Sequence, residues 1–161
     1  RLDMLRLALE EFSSLELDDR ETRRRGPSYM VETLADIRAE EPKRPLILLI
    51  GQDAANLLHT WYDWTRLFEL AHIVILTRPG AIVEYRQDVA DEIQHRMTAE
   101  VQELADSPSG KVLQLEVTSI DVSATAIKQW LNEGRSPASM LPVTVLDYIQ
   151  EQHLYVNDTK R

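Results

Sequence analysis

The chain has no cysteine in its 161 residues, which excludes a disulfide framework, a thiolate metal site and a thiol nucleophile. Glycine and proline are sparse, at 5 and 7, so collagen-like and low-complexity classes drop out. Long apolar runs are missing as well. The longest, Leu46-Ile47-Leu48-Leu49-Ile50, falls far short of the roughly 20 residues a membrane span needs, and no membrane partner is expected. Basic side chains are outnumbered, 18 against 27 acidic, for a net charge of −9. Phosphate backbones are gripped by clustered Lys and Arg, so no nucleic-acid partner is expected. A small phosphorylated ligand at a local positive site stays compatible with this balance. His59, His72, His95 and His153 have no close partner at metal-ligand spacing, so no protein-held metal is expected. Each reads as a surface or satisfied histidine.

What is present is globular: 43% hydrophobic and 28% charged residues, with no internal repeat and no linker long enough to divide the chain. One domain over residues 1–161 is expected. Leu2, Leu5 and Leu9 have helical spacing, Leu15-Glu16-Leu17 is a short strand candidate, and a helix carrying Val31, Leu34 and Ile37 runs up to Pro42. The runs 46–50, 73–76 and 112–117 read as buried strands. Helical patterns lie between them at 54–59, 64–71 and, as one long polar helix, 87–105. Ser123 opens a further helix that Gly134 stops, and Pro142 opens the last. Strands alternating with helices, too apolar to leave a wet face, predict an α/β fold with a parallel sheet covered on both faces.

In such sheets ligands bind at the carboxyl ends of the strands. The residues there are Gly51-Gln52-Asp53, Arg78 and Asp121-Val122-Ser123-Ala124-Thr125. Gly51 lets backbone approach a ligand, and Asp53 is suited either to accept from ribose hydroxyls or to cap a helix. Ser123 and Thr125 at a helix start, with Lys128 one turn on, read as a phosphate site or as simple capping. Trp61-Tyr62-Asp63-Trp64 concentrates aromatic surface; Trp64 reads as core, while an indole at Trp61 is suited to stack on a flat heterocycle. Arg20, Arg23, Arg24 and Arg25 form a basic patch among acids, read as a solvated face or as the border of an anionic ligand. No serine–histidine–acid or paired-carboxylate arrangement is present.

Taken in order, Pro27-Ser28-Tyr29-Met30, Ile50-Gly51-Gln52-Asp53, Trp61-Tyr62-Asp63-Trp64, Arg78-Pro79-Gly80, Val122 through Lys128 and Leu141-Pro142 through Tyr155 resemble the bacterial nicotinate-nucleotide adenylyltransferases. The resemblance implies a Rossmann-like nucleotidyltransferase fold and a step of NAD biosynthesis. ATP, with Mg2+, and nicotinate mononucleotide would give nicotinate adenine dinucleotide and pyrophosphate in the cytoplasm. It implies ATP contacts at Gly51, Asp53, Arg78, Ser123, Thr125 and Lys128, and nicotinate-nucleotide contacts at Met30, Trp61 and Tyr62. Trp61 would stack on the pyridine ring, and the amides near Met30 and Tyr62 would bind its carboxylate. Three departures stand out. Met30 replaces the family's usual threonine, and Lys128 replaces an arginine, keeping the charge but losing the bidentate fork. The family's His-x-Gly-His motif occurs nowhere in the chain. The match therefore reads as beginning partway through the pattern, with the first βα unit and the catalytic histidines absent. Little turnover by this chain alone and some exposed apolar sheet surface are expected. Two rival readings accompany the resemblance: a non-catalytic nucleotide-binding module, and an adenylyltransferase with another acceptor such as a pantetheine phosphate.

Overall fold

The apolar runs of the middle of the chain pair into a parallel sheet. In a computed structural model that describes residues 1–120 and 122–155, the strands are β1 (Ile47–Gly51), β2 (His72–Thr77), β3 (Met97–Thr98) and β4 (Val112–Glu116). Their order in the sheet is β1-β2-β4-β3. Ile50 pairs with Ile75 and Ile75 with Gln114, so the ends of β1, β2 and β4 fall level. The helices are α1 (Leu2–Leu9), α2 (Arg20–Arg23), α3 (Met30–Glu40), α4 (Gln52–Asn56), α5 (Leu67–Leu70), α6 (Gln87–Arg96), α7 (Ala124–Asn132) and α8 (Val143–Glu151). The chain forms two compact units: Arg23–Ser119, and Arg1–Thr22 together with the chain from Ile120 onward.

The sheet unit holds the main core. Strand side chains alternate between faces, and Ile50, Ile73, Ile75 and Val112 pack with Val31, Leu34, Leu58, Phe68, Val89 and Ile93. The opposite face is thinner: Val74 and Leu113 meet Leu104, while Ile47, Leu49 and Leu115 are exposed. That is the exposed apolar sheet surface the sequence predicts, and it lies chiefly along β1, an edge strand.

The amino end of the sheet is closed by polar chemistry. The Arg38 guanidinium donates to the carbonyls of Leu70 (2.6 and 3.1 Å), Arg44 (2.6 Å), Pro108 (2.7 Å) and Glu41 (3.0 Å). Residues Arg44, Leu70 and Pro108 lead into β1, β2 and β4, so one side chain ties three strand entries. His72 is fully buried. Its Nδ1 accepts from the Lys111 N–H (3.0 Å), which leaves the proton on Nε2, 2.8 Å from the Ser107 carbonyl. It is the satisfied histidine of the sequence analysis.

In the helical unit, α8 buries Val145, Leu146 and Ile149 and the loop before it buries Pro137, while α1 and α7 bury none. The α7 start is capped by Ser123, whose Oγ accepts from the Ala126 N–H at 3.1 Å. Its end is a Schellman motif. Gly134, at φ +70°, takes the left-handed position, with Arg135 N–H on the Trp130 carbonyl and Gly134 N–H on Leu131.

Two expectations are corrected. Residues Leu15-Glu16-Leu17 are not a strand, because the helical unit offers them no sheet edge to pair with. The polar helix from 87 ends at Arg96, since Met97–Thr98 turn extended and pair with Val112 and Leu113. A short 3-10 turn, Val101–Leu104, follows. Helical periodicity in 97–105 is outweighed by strand pairing and by burial of Leu104. Asp121, a strand-end candidate, lies outside the described residues.

Candidate functional site

The level ends of β1, β2 and β4 leave a cleft of about 210 Å3, lined by Gly51, Gln52, Asp53, Leu76, Arg78, Ala81 and Val117. Three sequence candidates thus meet there. A strand that ends in Gly51 and turns at once into α4 leaves no side chain between backbone and cleft; a Cβ built on Gly51 would meet nothing within 4 Å. Asp53 does not cap α4. The cap position is Gly51, and Asp53 lies in the first helical turn with its side chain 84% exposed and Oδ2 3.4 Å from Arg78 Nη2. Such a long, exposed pair is weak, so both groups stay available for a ligand. Arg78 itself leaves β2 through the Pro79-Gly80 turn, where Gly80 has φ +79°.

A second group forms around the start of α3. Tyr29 occupies its N-cap position and forms a tilted stack with Tyr62, with ring centroids 4.6 Å apart and planes at 37°; Met30 is the next residue along the chain. As the first residue of a helix, Met30 carries an N–H that the helix itself leaves unpaired. Beside this stack lies a polar depression of about 380 Å3 lined by residues that include Arg24, Glu32, Asp36, Tyr62, Asp63 and Arg66. Arg24, from the basic patch, is bound to Thr33 Oγ1 at 2.8 Å and to Asp36, so it is a paired wall residue and not a bare solvated charge. Trp61 is half-buried against the core, and Trp64 packs edge-on to Phe68 at 6.2 Å.

The third group, Ser123, Thr125 and Lys128, lies in the helical unit. The capping reading of Ser123 is met; its hydroxyl proton stays free to donate while Oγ accepts from the backbone. Thr125 is exposed, and the Lys128 ammonium lies 5.2 Å from the Tyr155 ring centre, a cation–π contact.

Gln52, Asn56 and Tyr85, to which sequence patterns assign no role, form a polar network beside the cleft. Gln52 is 3% exposed, and its amide joins Asn56 Oδ1 (2.8 Å), the Tyr85 hydroxyl (3.0 Å) and Gln114 Nε2 (3.3 Å). A polar residue directly after a buried strand was the available signal.

This fold and cleft define a nucleotidyltransferase of the cytidylyltransferase-like class, whose family model matches residues 1–130. The chain is 44% identical over 156 residues to a probable nicotinate-nucleotide adenylyltransferase of Methylococcus capsulatus, covering 96% of this chain and 74% of that relative. A relative of the same name from Klebsiella pneumoniae subsp. pneumoniae is 40% identical over 158 residues, with 96% and 73% covered. The chain belongs to the nicotinate-nucleotide adenylyltransferase family. Among solved structures it resembles Plasmodium falciparum nicotinic acid mononucleotide adenylyltransferase complexed with APC, at TM-score 0.54 and 12% identity. A complex of the same enzyme with NaAD gives a TM-score of 0.53. The match with the APC complex covers 81% of this chain and 59% of that one, and shows the shared fold. Among the described residues, no helix is long and apolar enough to cross a membrane.

Proposed function

We propose that the protein transfers the adenylyl group of ATP to nicotinate mononucleotide, giving nicotinate adenine dinucleotide and pyrophosphate, and that residues 1–161 serve this as one nucleotidyltransferase-like domain. A phosphate oxygen of the mononucleotide forms a bond to the α-phosphorus of ATP. The bond from that phosphorus to the bridging oxygen breaks, and its electron pair leaves with pyrophosphate. The chemistry needs no protein nucleophile; it asks for positioning and for charge stabilisation. The carrying observation is the cleft at the carboxyl ends of β1, β2 and β4, where Gly51, Asp53 and Arg78 converge.

In this reading Gly51 admits the nucleotide close to backbone, Asp53 accepts from the ribose hydroxyls and Arg78 lies against the adenine. Ser123, Thr125 and Lys128 serve phosphate groups. Trp61 stacks on the pyridine ring, and the N–H groups of Met30 and Tyr62 hold its carboxylate. Magnesium enters with ATP. Among the described residues no three His, Asp or Glu side chains are grouped to hold a metal, and a magnesium ion bound chiefly by phosphate oxygens and water does not need such a group. A cytoplasmic location accompanies the family assignment.

The test is pyrophosphate release by the protein at its natural length, with ATP and magnesium and three acceptors: nicotinate mononucleotide, nicotinamide mononucleotide and a pantetheine phosphate. The expected result is a kcat/KM at least about tenfold higher for the nicotinate nucleotide, because donors facing an uncharged amide are partly wasted. Equal values for the two pyridine nucleotides, or preference for the pantetheine phosphate, would overturn the reading.

A further inference from the structure

Residues 78–86 join β2 to α6 without helix or strand, yet they supply Arg78 and Ala81 to the cleft wall. A stretch with Ile82 72% exposed and Val83 55% exposed has little apolar burial to fix it. What fixes it is an amide network. The Asn56 side chain donates from Nδ2 to the Ile82 carbonyl (2.8 Å) and accepts at Oδ1 from the Glu84 N–H (3.1 Å). It thereby bonds the segment as a neighbouring strand would. Gln52 donates to the same Oδ1 and to the Tyr85 hydroxyl, and Gln114 on β4 donates to the Gln52 carbonyl oxygen. Tyr85 is half-buried against the core. A buried amide is costly unless its polar atoms are bonded, and here the bonds of Gln52 run to α4, to the segment and to the sheet.

We infer that Asn56 and Gln52 are positioning residues: they hold segment 78–86 against the carboxyl-end cleft and so fix Arg78 where the nucleotide binds. The identity of that nucleotide rests on the adenylyl-transfer reading. Neither residue needs to touch the ligand. Asn56 acts through the backbone of Ile82 and Glu84, and Gln52 acts by orienting Asn56 and Tyr85.

The experiment compares wild type with Asn56→Ala, Asn56→Asp and the control Gln87→Ala, whose exposed side chain bonds Asp91 one turn along α6. Amide hydrogen exchange at Glu84, equilibrium ATP binding, and KM for each substrate are measured. Asn56→Ala is expected to speed exchange at Glu84 and to weaken ATP binding, each by about tenfold, the loss of one or two hydrogen bonds. KM for ATP rises with it, while kcat and the KM for the mononucleotide stay within about twofold. Asn56→Asp keeps the acceptor for the Glu84 N–H and recovers part of both effects, and Gln87→Ala changes neither. Unchanged exchange at Glu84, or faster exchange with unchanged ATP affinity, would overturn the inference while leaving adenylyl transfer standing. Asn56-dependent ATP binding in a protein that does not use nicotinate mononucleotide would support the inference and sink the acceptor assignment.

Discussion

The two ends of one sheet are built to opposite specifications. At the amino end, Arg38 donates five bonds to four backbone carbonyls and the buried His72 satisfies both ring nitrogens. Those side chains are spent on the fold itself. At the carboxyl end the same strands stop at a glycine, an 84% exposed aspartate and an arginine 3.4 Å from it. Polar groups satisfied by the fold stabilise it, whereas polar groups kept loosely paired at a strand end are available to bind. The intermediate case is the amide network around Gln52, which is fully engaged but lies at the binding end.

The comparison is sharpest if each end is damaged separately. Arg38→Ala is expected to destabilise the protein by roughly 1.5–3 kcal/mol, since the part-buried Leu70 carbonyl and three more exposed ones lose a charged donor. Urea unfolding measures this, and the fraction still folded should bind ATP as wild type does. A loss below about 0.5 kcal/mol would show that the amino end is not held by this side chain.

Asp53→Ala should do the reverse. Its exposure predicts a stability change within about 0.5 kcal/mol, while KM for ATP rises roughly 10- to 100-fold with the loss of hydrogen bonds to a charged acceptor. Steady-state kinetics and a melting curve on the same preparation separate the two effects. Parallel losses in both would erase the contrast between the ends.

Ser123→Ala in the helical unit is expected to cost about 1 kcal/mol of stability as a lost cap. If the hydroxyl also serves phosphate, KM for ATP rises as well; Ser123→Gly, which keeps most of the capping preference, would then show the KM effect with little loss of stability.

The smallest effect is in pH. The hydrogen bond from Lys111 holds the Glu103 carboxyl below its ordinary range, with help from Thr98 and the Lys111 charge. A carboxylate depressed in the folded state contributes stability that is present above its unfolded pKa and is lost as pH falls through the folded value. Glu103→Gln should therefore lower stability slightly near pH 7, where the wild-type carboxylate contributes, and flatten part of the acid limb, so that the two curves converge once pH has fallen below the depressed folded value. A curve identical to wild type on the acid side would remove Glu103 from the account.

Much of this architecture is legible in the linear chain, for identifiable reasons. The runs at 46–50 and 73–76 are short and wholly apolar and 112–117 is apolar but for Gln114 and Glu116, a length and composition that suit a parallel strand, and each is a strand to within about a residue or two. Ser123 and Gly134 bracket α7 because capping chemistry is local. Gly51, Asp53 and Arg78 stand out because a parallel sheet has one binding end, and the chain order says which residues reach it. Other features depend on partners far away in sequence. Residues 97–98 keep a helical pattern until β4 recruits them, and Leu15–Leu17 keep a strand pattern that finds no edge. Asp53 has a capping residue's chemistry but not a capping position, because Gly51 takes it.

The sequence by itself determined the fold class, the strand order along the chain and the residue types at the strand ends, because periodicity and termination signals are local properties of the chain. The tertiary structure alone decided which distant groups meet: Arg38 with Pro108, Tyr29 with Tyr62, Asn56 with Ile82 and Glu84. Those contacts follow from packing two faces of a sheet and from pairing buried amides, and neither constraint exists until the strands are side by side.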